Sequence, residues 1–185
     1  DFCKELKGEF NKDVSWGCAG RVNLMTEDLV AAMADSGCVL IGYGIESGSQ
    51  TMLNIMKKCV TVQQAKYAIQ LTKKYLGWAD CSFMVGTPGE NRETIQETIE
   101  FCREVNLAPE VIFFTTPYPG TDLYELALRQ GKIGDEEEYI LNLGEQGEKI
   151  RVNFSELTDK ELWEAQKYMI TELNAWNKIK HPESR

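Results

Sequence analysis

From residue 13 onward the chain repeats one pattern four times: a short apolar segment, a turn rich in Gly or Pro, and a stretch with the 3.6-residue periodicity of a helix. This alternation predicts an α/β fold with right-handed crossovers. Residues 14–18, 38–44, 78–85 and 111–115 are apolar enough to be buried on both faces, as parallel strands are. The helices between them carry start signals. Thr26 precedes Glu27 and Asp28, which suit the positive end of a helix dipole, and Thr61 with Gln64 makes a capping box. Over residues 92–105, Ile95, Ile99 and Cys102 share one stripe, while Glu93, Glu97, Glu100 and Glu104 turn mostly to water.

Past Gly131 the alternation stops. D-E-E-E and a Gly-containing polar stretch lead to a last helix opened by Thr158 and Glu161, with Leu162, Ala165, Met169, Leu173 and Trp176 as its apolar stripe. The expected division is 1–131 for the α/β part and 132–185 for a helical extension. The opening D-F-C-K-E-L-K-G reads as a helix already under way, which suggests a piece of a longer polypeptide. The pattern fits a doubly wound sheet or an arc of a (β/α) barrel, and both gather ligand chemistry at the carboxyl ends of their strands.

Charge narrows the ligand class. Lys and Arg number 20 against 29 Asp and Glu, a net charge of −9, which opposes nucleic-acid binding and favours a small molecule. With 185 residues a full core is available without staples. The longest apolar runs, residues 29–34 and 38–41, fall far short of the roughly 20 residues of a membrane span, and no leader peptide is expected. Six cysteines without a C-x-x-C pair suit small buried hydrophobes in a reducing cytoplasm, and no metal-ligand motif is seen. The single histidine, His181, lies in a polar tail, which excludes His-based triads and zinc sites.

All four strands end in loops richer in Gly and Pro than a turn requires. The first is W-G-C-A-G-R-V-N, where Arg21 could grip a carboxylate with its planar fork. The second is G-Y-G-I-E-S-G-S-Q, where Glu46, with Ser47 and Ser49 beside it, could accept hydrogen bonds from vicinal hydroxyls such as those of a ribose. A helix cap at Ser49 is the plainer alternative. In V-G-T-P-G-E-N, glycines around Thr87 and Pro88 let backbone approach a flat ligand while Glu90 and Asn91 open the next helix; a tight turn explains the same residues. In T-T-P-Y-P-G-T-D two prolines stiffen the loop that carries Tyr118, and a rigid exit turn before a cap at Thr121 reads equally well. Lys57 and Lys58 close the short helix after Glu46, the ordinary place for a solvated pair.

Jointly, W-G-C-A-G-R-V-N-L-M, A-D-S-G-C-V-L-I-G-Y-G-I-E-S-G-S-Q, L-N-I-M-K-K-C-V-T, F-M-V-G-T-P-G-E and T-T-P-Y-P-G-T-D-L-Y cover residues 1–131 in order. They resemble the radical S-adenosylmethionine (SAM) superfamily, most closely its cobalamin-associated branch and the anaerobic magnesium-protoporphyrin monomethyl ester cyclases. The resemblance implies a partial, TIM-barrel-like (β/α) arc of about four parallel strands plus C-terminal helices. It implies SAM contacts at Arg21, Glu46, Ser47, Lys58, Gly86, Pro88 and Gly89, with Glu46 at the ribose, Lys58 and Arg21 at the methionine end, and Tyr118 on the substrate side. Lys58 stands where arginine is common in the family. No catalytic acid or base is assigned. The implied cofactors are SAM, a four-iron four-sulfur cluster and, in this branch, cobalamin.

The family's C-x-x-x-C-x-x-C cluster motif does not occur in this sequence. The resemblance therefore implies that the first two βα units, and any cobalamin-binding domain, lie upstream. The chain alone is expected to be inactive, and two uncovered sheet edges are expected to favour self-association. The competing readings are a complete non-redox α/β domain that binds a nucleotide or phosphate ester, and a non-catalytic interaction module.

Overall fold

The computed structural model describes residues 1–10, 13–109, 111–144 and 149–180; within the last helix the side chains of residue 174 and residues 176–180 fall outside the description. Trp176 and His181 therefore lie beyond what the structure describes. Four strands, β1 (Trp16–Gly20), β2 (Cys38–Glu46), β3 (Asp80–Val85) and β4 (Val111–Phe114), form one parallel sheet in sequential order. Between and around them run α1 (Phe2–Phe10), α2 (Glu27–Asp35), α3 (Gln50–Ile55), α4 (Val62–Leu76), α5 (Arg92–Glu104), α6 (Asp122–Arg129), α7 (Glu136–Leu141) and α8 (Asp159–Lys180).

The helix caps follow the sequence. Thr26 accepts the Leu29 N–H, Thr61 and Gln64 close their box, Asn91 does the same with Thr94, and Thr121 accepts the Tyr124 N–H. At α8 the Thr158 N–H donates to the Glu161 carboxylate at 2.7 Å. Ser49 stands at the start of α3 but its side chain makes no cap bond, so the plainer alternative of a side-chain cap there is not met.

Burial on both strand faces is corrected by the structure. Ile41, Tyr43 and Ile45 of β2, Cys81, Phe83 and Val85 of β3, and Ile112 and Phe114 of β4 are buried. Their alternate neighbours, Gly42, Gly44, Ser82, Met84 and Phe113, are partly or fully open. Every helix that covers the sheet lies on one side, so the open side is the concave face of a barrel arc, whereas a doubly wound sheet has both faces covered. The main core includes Leu162, Met169 and Leu173 of α8. A smaller cluster gathers Tyr124, Ala127, Ile133 and Val152, with Leu128, Tyr139 and Phe154 against it.

The edges also differ from expectation. α8 lies along β4, where the Gln166 Nε2 donates to the Ile112 carbonyl at 2.6 Å and Trp163 packs edge-on against Phe114. That edge is thus partly covered by a helix, while among the described residues β1 and β4 are each paired with one strand alone. Cys38, Cys81 and Cys102 are buried as expected of small hydrophobes, whereas Cys59 is exposed. Among the described residues no helix is long and apolar enough to cross a membrane.

Candidate functional site at the carboxyl ends of the strands

Arg21, Glu46, the Gly86–Glu90 loop and the Thr115–Thr121 loop follow β1, β2, β3 and β4, so sheet order sets them side by side along one end of the arc. Glu46 is the best defined. The register shifts between Gly44 and Glu46, and Glu46 adopts φ +70°, a left-handed conformation that costs a non-glycine residue about 1–2 kcal/mol. Its carboxylate accepts a hydrogen bond from Lys58 Nζ at 2.7 Å, both side chains being half-buried. A Cβ at Gly44 would stand 2.7 Å from Glu46 Oε1, so glycine there makes the room this carboxylate occupies. Lys58 is itself bracketed by Lys57 (φ +52°) and Cys59 (φ +55°). Three left-handed non-glycine residues thus frame one ion pair, and strain of this kind collects at functional sites.

The residues after Glu46 are tied down from beneath. Ser47 Oγ lies 3.1 Å from Thr98 Oγ1 on α5 and accepts the Ser49 N–H, while the Gly48 N–H donates to Thr98 Oγ1 at 3.0 Å. The Ser47 hydroxyl thereby fixes the loop on α5.

In the third loop Gly86 and Gly89 take φ of +93° and +80°, which only glycine adopts without strain. A Cβ at Gly89 would also meet Ile55 at 2.8 Å. Glu90 turns inward with 1% exposure, and its carboxylate accepts the Gly86 and Thr87 backbone N–H groups. Burial outweighs those two bonds and pushes its pKa up to about 7. Sequence reasoning placed Glu90 at a helix start and missed this role; the available signal is a carboxylate four residues after a glycine that closes a strand.

Tyr118 is exposed on the fourth loop, where its carbonyl accepts the Thr121 N–H and hydroxyl and the neighbouring Pro117 carbonyl accepts the Tyr139 hydroxyl at 2.8 Å. Arg21 is exposed and donates weakly, at 3.5 Å, to Asn23. The structure therefore joins Glu46 to Lys58 and Gly86 to Glu90, while Arg21 and Tyr118 stand at the two flanks. Three hydroxyls at the ends of β2, β3 and β4, those of Ser49 (0% exposed), Thr87 (4%) and Thr115 (1%), meet no hydrogen-bond partner. Buried polar groups are nearly always paired, and these three lie near the ends of adjacent strands.

The family model of the radical SAM superfamily matches residues 2–102, more than half of the chain. The chain belongs to the radical SAM superfamily. An uncharacterized methyltransferase of Pyrococcus horikoshii is 38% identical over 116 residues, 63% of this chain and 25% of the relative. The anaerobic magnesium-protoporphyrin IX monomethyl ester cyclase of Rubrivivax gelatinosus is 32% identical over 143 residues, 75% of this chain and 25% of the cyclase. The chain thus spans about a quarter of the length of these curated relatives. Two solved structures share the fold. The radical SAM methyltransferase TsrM of Kitasatospora setae, with cobalamin and a [4Fe-4S] cluster bound, superposes with TM-score 0.60 at 14% identity over 71% of this chain and 26% of its own. Coproporphyrinogen III oxidase of Escherichia coli, described as a radical SAM enzyme, gives 0.57 at 12% over 97% and 36%.

Radical SAM proteins use SAM and a four-iron four-sulfur cluster. The unpaired hydroxyls, the Glu46 carboxylate and the two left-handed glycines fit a nucleoside-bearing ligand. The cluster does not fit these residues: among those described, no group of three or more His, Cys, Asp or Glu could hold a metal ion.

Proposed function

We propose that this chain forms the later part of the SAM site of a radical enzyme, the cluster and any cobalamin being held by upstream parts of the same polypeptide. Glu46 receives the ribose hydroxyls, Lys58 and Arg21 face the methionine carboxylate, the Gly86–Gly89 backbone with Pro88 borders the adenine, and Tyr118 lies toward the substrate. Ser47 contributes by seating the loop through its hydroxyl, which Thr98 engages, rather than by contact with the ligand. When bound, SAM and the cluster supply one-electron cleavage of the sulfonium and hydrogen abstraction from an organic substrate. The protein groups bind, orient and exclude water. Both a methyltransferase and a porphyrin cyclase stand among the relatives, so the substrate class proposed is a small organic molecule of one of those two reactions. Without cluster ligands the isolated chain binds but does not cleave.

The observation that carries this reading is the Glu46 carboxylate, fixed at the end of β2 in space that Gly44 leaves open. Calorimetric titration with SAM and with 5′-deoxyadenosine tests it. Weak binding to the chain is expected, reduced about tenfold or more by Glu46→Gln, as befits a charge-assisted hydrogen bond pair. Equal affinity for the two proteins would overturn the assignment.

A further inference from the structure

The loops after β3 and β4 are held partly from within, by the Glu90 carboxylate and by the Tyr118 carbonyl, and partly from outside. Gly86 and Gly89 contribute no side chain, and residues 132–144 and 149–157 reach the loop from outside. The Phe154 N–H donates to the Gly86 carbonyl at 3.1 Å and the Glu156 N–H to the Glu90 carbonyl at 2.8 Å, so the five-residue loop is pinned at its first and last members. The Tyr139 hydroxyl donates to the Pro117 carbonyl at 2.8 Å, one residue before Tyr118.

The pinning segment is stiffened in turn. Asn153 Oδ1 accepts from the Ser155 N–H at 2.9 Å, and Asn153 Nδ2 donates to the Leu157 carbonyl at 2.8 Å. Lys132 Nζ donates to the Asn153 carbonyl at 2.5 Å and lies 5.7 Å over the Phe154 ring. The small apolar cluster of Tyr124, Ala127, Ile133 and Val152 ties Ile133 and Val152 to α6, with Tyr139 and Phe154 against it.

We propose that residues 132–144 and 149–157 are a positioning element of the ligand site, setting the Gly86–Glu90 and Thr115–Thr121 loops through hydrogen bonds to their carbonyls without touching ligand. This rests on the reading of those loops as facing SAM. Glu156→Pro removes the N–H donor, Glu156→Ala keeps it, and Tyr139→Phe removes one hydroxyl with little change of shape. The 185-residue chain and its variants are titrated with SAM, and amide exchange is followed at residues 86–90. Glu156→Pro and Tyr139→Phe are each expected to weaken binding roughly 3- to 10-fold, the effect of one hydrogen bond, with melting nearly unchanged and Glu156→Ala like the parent. Exchange at residues 86–90 rises in Glu156→Pro alone.

Unchanged affinity in Tyr139→Phe and Glu156→Pro overturns the proposal, and so does equal exchange in Glu156→Pro and Glu156→Ala. Should Glu156→Pro not fold, Tyr139→Phe decides. Should the parent chain bind no SAM, the site reading fails by itself, and the exchange comparison still decides whether the segment sets the loop.

Discussion

Glu90 is the residue whose role most exceeds what its sequence position suggests. It is a buried acid whose pKa rises from 4.5 to about 7, so the folded state prefers its protonated form. Its contribution to stability is full below the unfolded value of 4.5 and is lost as pH rises through about 7. Urea unfolding of the parent chain and Glu90→Gln, followed from about pH 5 to pH 8, is expected to show the parent losing on the order of 3 kcal/mol relative to the variant. Parallel pH profiles would contradict this. Glu46 was legible because a charged residue at the end of an apolar run has few other reasons to be there. Its partnership with Lys58 was not, because two residues twelve apart meet only through a bulge and three left-handed backbones that no periodicity encodes.

Among the elements, the seam between the β2–α3 loop and α5 is the tightest. A Cβ on Gly48 would lie 2.5 Å from Phe101 Cβ and 2.8 Å from Thr98 Cα, and Thr98 Oγ1 meets both Ser47 and Gly48. Gly48→Ala is expected to destabilise the chain by about 2–3 kcal/mol through overpacking, lowering the melting midpoint by roughly 5–10 °C. A shift under about 2 °C would show that the loop yields. The caps at Thr26, Thr61, Asn91 and Thr121 were readable because each is a local bargain between residues three apart. Strand limits were less so. β1 runs two residues later than its apolar segment suggests, since Gly17, Ala19 and Gly20 look like a turn until a neighbouring strand pairs with them.

For the molecule as a whole, both end strands of the arc pair on one side alone among the described residues, and α8 packs against one of them. α8 occupies the β4 side, and β1 pairs with β2 alone. Concentration-dependent self-association through β1 is expected in sedimentation velocity, and a monodisperse monomer that melts cooperatively would contradict it. The parallel α/β architecture followed from the repeated units; that helices cover one face alone did not, because burial on the second face depends on parts of the sheet outside any single unit's pattern.

The one-sided covering divides each strand by the parity of its residue numbers. In β2, positions 41, 43 and 45 point to the helices and positions 42, 44 and 46 to the open face; β3 keeps the same parity and β4 reverses it. The packed core and the open face are thus written on alternating letters of the same words, so that a change of one letter meets the helices and a change of the next meets the hollow of the arc.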